Sequence, residues 1–322
     1  NASLLKFADS VASAFADALR QRGLKCRFFV SQNDGTLMDA EFVRQFPALT
    51  FASGPTNSLR GACKLTGLND AIVVDLGGTT ADIGILQGGF PRESNIVIDV
   101  GGVRTNFRMP DILALGLGGG SLVTDEGRSI GPESVGRNLV TQGLAFGGSV
   151  LTATDLLVAA GKATVGPNQC PVHLPVQTVE NGLRTIASML NQGIEKMVPS
   201  SDPMPVVLVG GGAILVADKL EAASEMYCPE HSGVANAIGA AIAQIGGEVE
   251  SLVCYQDMPR ELAIKKMSDE AKLTAINAGA DPKTVRIADI EETTISYMAE
   301  GSTRLRIKAV GDISPQAKGF KV

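Results

Sequence analysis

The chain is most easily bounded by what it lacks. Its 322 residues include no tryptophan, two histidines (His173 and His231) and 4% aromatics. The core must therefore be built from aliphatic side chains and alanine, and a histidine-rich metal site cannot be assembled. Five cysteines, Cys26, Cys63, Cys170, Cys228 and Cys254, are odd in number and widely spaced. With no C-x-x-C pair they exclude a zinc ribbon or a dithiol redox motif. They read as free thiols of a reducing cytoplasm. No apolar run reaches the length that crosses a bilayer. The first residues show no basic stretch followed by an apolar one, so a signal peptide is not expected. The expected location is cytoplasmic, with no membrane partner. A formal charge of −6 and the absence of a basic run with interleaved aromatics argue against nucleic acid. There is no G-x-x-x-x-G-K-[ST] phosphate loop, no G-x-S-x-G nucleophile elbow, and no repeat of solenoid length.

What is present is a chain rich in small and apolar residues. It has 37 glycines, is 44% hydrophobic and is 19% charged. That composition suits two domains, or one large α/β unit, around a sizeable core. One stretch stands out: Ile72-Val-Val-Asp75-Leu-Gly77-Gly78-Thr79-Thr80-Ala81-Asp82-Ile83-Gly-Ile-Leu86. A β-branched apolar run ends in Asp75, a Gly-Gly-Thr-Thr turn follows, and Asp82 opens a second apolar run. The pattern predicts a strand, a tight turn and a returning strand. Glycines let the backbone approach a ligand closely, and successive N–H groups in such a turn can form an anion-binding concavity. Two carboxylates flanking the turn could hold a hydrated Mg²⁺, a hard ion that keeps several waters. The alternatives are a phosphate-and-magnesium loop and an ordinary hairpin with a glycine-rich turn.

The rest of the chain alternates between helical and strand-like patterns. A helix is expected from Ser3 to about Arg22, ended by Gly23, with Leu4, Leu5, Phe7, Ala8, Val11, Ala12, Phe15, Ala16 and Leu19 as its apolar stripe. Lys25–Ser31 and Ala48–Ala52 read as strands, and Asp39–Gln45 as a short helix. Ser53-Gly54-Pro55 feeds a helix to about Gly67, at an N-terminus that could attract an anion or simply be capped. Glu93–Val100, Val103–Met109 and Ile112–Leu117 read as strands. Gly118-Gly119-Gly120-Ser121 is a turn that either approaches a ligand or bends a sheet. Gly131-Pro132-Glu133-Ser134 reads as a loop. Val176–Met197 has helical spacing. Val206–Val209 is a buried strand running into Gly210-Gly211-Gly212, where bare backbone could accept an adenine ring or ribose. The small-residue helix after His231 can pack closely against a sheet. Beyond Gly247 the pattern is strand, charged helix and two strands, a small α+β module without a glycine-rich loop.

Asp75-x-Gly-Gly-Thr-Thr-x-Asp82, Gly118–Ser121, and the strand into Gly210–Gly212 occur in that order, with Ser53-Gly54-Pro55 and Gly131–Ser134. Together they resemble the hydantoinase/oxoprolinase family, in its A-type (ATPase) subunit or domain, over roughly residues 28–247. The resemblance implies an RNase H-like α/β fold similar to actin, Hsp70 and sugar kinases, with two halves closing over ATP and Mg²⁺. It implies that Asp75 and Asp82 are catalytic and hold Mg²⁺ through water. Gly77, Gly78, Thr79 and Thr80 would bind phosphate oxygens, and Gly210, Gly211 and Gly212 would face the nucleoside. Family activities include ATP-dependent opening of hydantoins and 5-oxoproline and carboxylation of ketones, through phosphorylation of an amide or enol oxygen.

The sequence departs from the family pattern in places. No second D-x-G-G-T turn precedes Asp75, and Asp99-Val-Gly101-Gly102-Val103 is only a partial echo. Leu113 stands where the family often has histidine. Arg137-Asn138-Leu139-Val140-Thr141-Gln142-Gly143 replaces a P-G-P-x-C-Y-G segment. The chain thus reads as the second half of a larger protein, with a missing N-terminal domain, a B-type hydantoinase subunit and a homo-oligomeric state as expected associations. The expected organisation is residues 1–52 joining the core, 53–248 as the ATPase half, and 249–322 as an accessory module. The expected activity is ATP-dependent hydrolysis of a small cyclic amide such as hydantoin, 5-oxoproline or a lactam. A small-molecule kinase or a non-catalytic actin-like assembly module are the alternatives.

Overall fold

The computed structural model describes residues 2–24, 26, 28–94, 99–100, 103–104, 108–166, 169–198, 203–295 and 302–315. The chain divides into two compact units, residues 54–242 and residues 1–53 with 243–322.

The larger unit is built on a mixed sheet. Its strands lie in the order Ile112–Leu115, Ala81–Gln87, Ala71–Leu76, Met204–Val209, Ala223–Tyr227. Ala81–Gln87 is antiparallel to both of its neighbours, Ile112–Leu115 and Ala71–Leu76, and the last two strands run parallel to Ala71–Leu76. This is the RNase H-like α/β arrangement. The run Ile72-Val73-Val74 is continuous rather than alternating because both faces are covered. Ile72, Val74 and Leu76 join a core with Leu156, Leu157 and, from the helix Val176–Met197, Ile186, Leu190 and Ile194. Ala71 and Val73 pack instead with Leu59 and Ala62 of the helix Ser53–Thr66. The sheet is a middle layer between helices, with the aliphatic core that the composition demands.

The small-residue helix Ala235–Ile242 meets the helix Ser53–Thr66. A Cβ at Gly61 would lie 1.9 Å from the Ala235 carbonyl oxygen, and one at Gly239 would lie 1.8 Å from that of Asn57. The bare backbones are therefore in contact, and the side chain of Asn236 donates to the Gly54 carbonyl at 2.8 Å.

The smaller unit holds a second sheet, ordered Phe29–Ser31, Thr36–Asp39, Gln244–Cys254, Ser302–Gly311, Arg286–Thr294. Helix Arg260–Asn277 lies on it through Ala263, Met267, Ala271 and Ala275, against Ile245, Leu305 and Ile307. The division differs from the three expected segments. Residue 248 falls inside Gln244–Cys254, and the start of that strand runs parallel to Thr36–Asp39. Strand pairing thus joins the two ends of the chain in one unit, a long-range contact that composition does not report. Lys308 is buried in this unit against Asp34 at 2.7 Å. Burial pushes the Asp34 carboxyl up, but Lys308 and hydrogen bonds from Thr36 hold it below the usual carboxylate range.

Several local expectations are corrected. Residues 48–52 form no strand; Pro47–Thr50 is a 3-10 turn, with proline at its start where a missing N–H costs nothing. Ser129–Ser134 is a strand paired with Ser121–Thr124, not a loop. Helix Leu5–Gln21 buries Ala8, Ala12 and Ala16 and leaves Phe7, Val11 and Phe15 exposed, so its apolar stripe splits into two faces. Residues 105–107 of the expected strand Val103–Met109 and the glycines of the partial echo at Asp99–Val103 lie outside the described residues. Among the described residues no helix is long and apolar enough to cross a membrane.

A glycine-to-alanine change inside a helix ordinarily stabilises by up to about 1 kcal/mol. At Gly239 the new methyl would strike backbone, so Gly239→Ala is expected to destabilise by about 2 kcal/mol or more. Gly233, which has open space, should tolerate alanine within about 0.5 kcal/mol. Urea unfolding of both variants checks the sign.

Candidate nucleotide site

Asp75 and Asp82 are directly opposed across the central hairpin. Side chains alternate along a strand, so Asp75 shares the face of Val73, and Asp82 that of Gly84, where Leu59 of the helix Ser53–Thr66 packs. Both carboxylates therefore project on one face, at the end of the sheet where the turn lies. Both are half-buried. Burial, and then the neighbouring Asp75, push the Asp82 carboxyl up to about 6. Like charges set opposite one another are destabilising. A hard divalent cation would relieve that repulsion, and carboxylate oxygens are the donors such an ion prefers. Two carboxylates are a donor set of the kind that would suit Mg²⁺.

The turn itself is held by both other glycine segments. The N–H groups of Gly119 and Gly120 donate to the carbonyls of Gly77 (3.0 Å) and Gly78 (2.7 Å). The N–H of Gly212 donates to the Leu76 carbonyl at 2.7 Å. In a trans peptide the C=O and the following N–H point in opposite directions. Fixing the Gly77 and Gly78 carbonyls to the Gly118–Ser121 segment thus turns the N–H groups of Gly78 and Thr79 away from it. Among the described residues, the N–H groups of Gly78, Thr79 and Thr80 have no hydrogen-bond acceptor, and all three residues are exposed.

Glycine is required for this approach. A Cβ at Gly118 would come within 2.4 Å of the Thr79 nitrogen, and one at Gly212 within 2.7 Å of the Gly77 oxygen. Gly210 has φ +85°, and a Cβ there would meet an Asp75 carboxylate oxygen at 2.3 Å.

These contacts sort the expected site residues. Asp75, Asp82, Gly78, Thr79 and Thr80 come together at one end of the hairpin. The Gly77 N–H is instead taken by the Thr80 carbonyl at 2.9 Å, closing the turn, so that amide is not available to an anion. Gly210 donates to the Ser232 carbonyl at 3.0 Å, and Gly212 braces the turn. Gly211 alone of the three is exposed with open space beside it. Gly118–Gly120, left undecided between ligand and bend, serve as the brace. Ser134 was not singled out by itself; its hydroxyl donates to the Gly78 carbonyl at 3.3 Å. Its only sequence signal was its place in Gly131–Ser134. Leu113 pairs with Ile83 in the sheet and packs against the larger core.

The chain is 32% identical over 144 residues to caprolactamase subunit alpha of Pseudomonas jessenii, covering 42% of this chain and 20% of that one. It is 23% identical over 214 residues to the uncharacterized protein MJ0964 of Methanocaldococcus jannaschii, covering 61% of this chain and 32% of the other. In three dimensions it resembles the ATP-dependent caprolactamase of P. jessenii, with a TM-score of 0.69 at 15% identity over 97% of this chain and 57% of that one. It also resembles nucleotide-free acetone carboxylase, described with its mechanism of ATP-dependent acetone carboxylation, with a TM-score of 0.58 at 17% identity, covering 94% and 55%. The chain thus spans a third or less of the curated relatives it matches and little more than half of these solved chains. The hydantoinase/oxoprolinase family model matches residues 1–199, which include the whole Asp75–Asp82 hairpin and its Gly118–Gly120 brace. The match exceeds half of the sequence, and the chain belongs to the hydantoinase/oxoprolinase family.

Proposed function

We propose that this chain is the ATP- and Mg²⁺-binding part of an ATP-dependent hydrolase acting on a small cyclic amide, such as a lactam, a hydantoin or 5-oxoproline. The observation that carries the reading is the exposed row of free N–H groups at Gly78, Thr79 and Thr80, set beside two opposed carboxylates. A row of donors suits phosphate oxygens. Asp75 and Asp82 would hold Mg²⁺ through water, and the ion would supply charge neutralisation to a transferring phosphoryl group. The protein's share in such a reaction is positioning and electrostatics. The turn presents fixed donors, Thr79 and Thr80 add hydroxyls, and Gly211 offers bare backbone to a nucleoside. Family membership, and likeness to an ATP-dependent caprolactamase, support the substrate class. The relatives' greater length supports the view that further chain or a second subunit completes the enzyme.

Titration calorimetry of the complete protein with ATP, with and without Mg²⁺, tests the reading. Mg²⁺-dependent binding is expected, and Asp82→Ala should abolish the Mg²⁺ dependence; wild-type behaviour in that variant would sink the assignment. Because the Asp82 carboxyl sits near 6, protons compete with the cation there. Mg²⁺-dependent affinity should therefore fall as pH drops through about 6.

The same shift has a consequence for stability without ligand. A carboxyl whose folded pKa is raised opposes folding once it ionises, so the penalty is absent below the ordinary carboxylate range and complete above about pH 6. Asp82→Asn should raise stability at pH 7.5 by about 1 kcal/mol, after discounting for partial exposure, and by little at pH 4. Thermal unfolding at the two pH values measures the difference.

A further inference from the structure

We propose that Arg137 is a phosphate-binding residue of the Gly77–Thr80 turn, supplying the cation that the turn itself lacks. The inference rests on the nucleotide reading above and adds a residue that reading does not use. Between Ile72 and Leu86 there are two aspartates and no lysine or arginine, and neither Gly118–Ser121 nor Gly210–Ala213 adds a basic residue. The Gly77–Thr80 turn thus offers amides beside two carboxylates to an anionic ligand, and none of the three glycine segments brings a full positive charge.

The structure places one beside them. Ser134 donates its hydroxyl to the Gly78 carbonyl, and the Gly136 N–H donates to that same hydroxyl oxygen at 3.0 Å. The Val135 N–H donates to the Gly120 carbonyl at 2.9 Å, and Gly120 in turn donates to Gly78. Residues 134–136 are therefore latched to the turn through two routes. Gly136 closes the latch in a left-handed conformation, φ +53°, where a Cβ would stand 3.6 Å from the Thr79 hydroxyl oxygen. Arg137 is the next residue, in the short 3-10 turn Gly136–Asn138.

Arg137 is exposed, and among the described residues it makes no ion pair and no hydrogen bond; Glu133, four residues earlier, does not take it. Arg92, Arg306 and Arg260, by contrast, are held by Asp111 at 2.6 Å, Glu248 at 2.6 Å and Glu292 at 2.5 Å. A free guanidinium has five donors in a planar fork suited to phosphate oxygens. Arg137 directly follows Gly136, where a Cβ would lie 3.6 Å from the Thr79 hydroxyl oxygen, so its backbone stands beside the segment that carries the free amides of Gly78–Thr80. Charge complementarity assigns it to the phosphates and not to the nucleoside.

The test is calorimetric binding of ATP and of adenosine to the complete protein, with Mg²⁺, for the wild type, Arg137→Ala and Arg137→Lys. Arg137→Ala is expected to weaken ATP by about tenfold to a hundredfold and to leave adenosine unchanged. Arg137→Lys should recover part of the loss, since it restores charge without the fork. The ATP affinity of Arg137→Ala should also depend less steeply on salt. Unchanged ATP affinity in Arg137→Ala, with Mg²⁺-dependent binding intact in the wild type, overturns this inference alone. So does an equal loss for ATP and adenosine, which marks a structural role. A wild type that binds no Mg²⁺·ATP overturns the nucleotide reading and this inference with it.

Discussion

The site depends on where three carbonyls point. Those of Leu76, Gly77 and Gly78 accept from Gly212, Gly119 and Gly120, and peptide planarity then sets the direction of the amides that follow. The Gly77 amide turns into the hairpin and closes it. The amides of Gly78 and Thr79 turn outward. A two-residue hairpin loop has no such preference when its carbonyls are free to rotate with the chain. The brace requires backbone to lie on backbone, and the glycines at 118, 120 and 212 are therefore packing residues. Two segments that could have been read as ligand loops act mainly as the mould of a third.

The charge at the site works against the fold. Asp75 and Asp82 are opposed across the hairpin, and the partial burial of Asp82 raises the cost of ionising it. A sheet assembled for stability alone would place an apolar or oppositely charged pair there. The smaller unit shows that choice: Lys308 is buried against Asp34, and Arg306 lies between Glu248 and Glu291. Opposed carboxylates next to free amides fit the proposed binding of a cation and an anion together. A carboxylate perturbed by burial and a like charge is a mark of functional sites, and at Asp82 the perturbation has a geometric cause.

Much of the larger unit was legible because its signals are local. The apolar run before Asp75, the Gly-Gly-Thr-Thr turn, the Val176–Met197 periodicity and the strand before Gly210 all became the expected elements. Less legible were segments whose state depends on a distant partner. Ser129–Ser134, with its Gly-Pro, resembles a loop until Ser121–Thr124 pairs with it. Residues 48–52 are apolar enough for a strand, but among the described residues they join no strand ladder, and Pro47–Thr50 turns instead. In helix Leu5–Gln21 the sequence shows a broad apolar stripe, and only packing selects alanine over phenylalanine as the buried face.

Composition and spacing alone therefore determined an aliphatic α/β core and a strand–turn–strand with two flanking carboxylates, and the order of the glycine-rich motifs carried the resemblance to the family. These are matters of residue type and short-range order, which a sequence records directly. Tertiary structure decided which glycine amides stay free and which brace a turn, because that depends on contacts between residues far apart in sequence. It decided that Gly77 and Gly212 spend their amides inside the protein. It also decided that residues 1–53 fold with 243–322, since strand pairing between chain ends leaves no mark in local sequence.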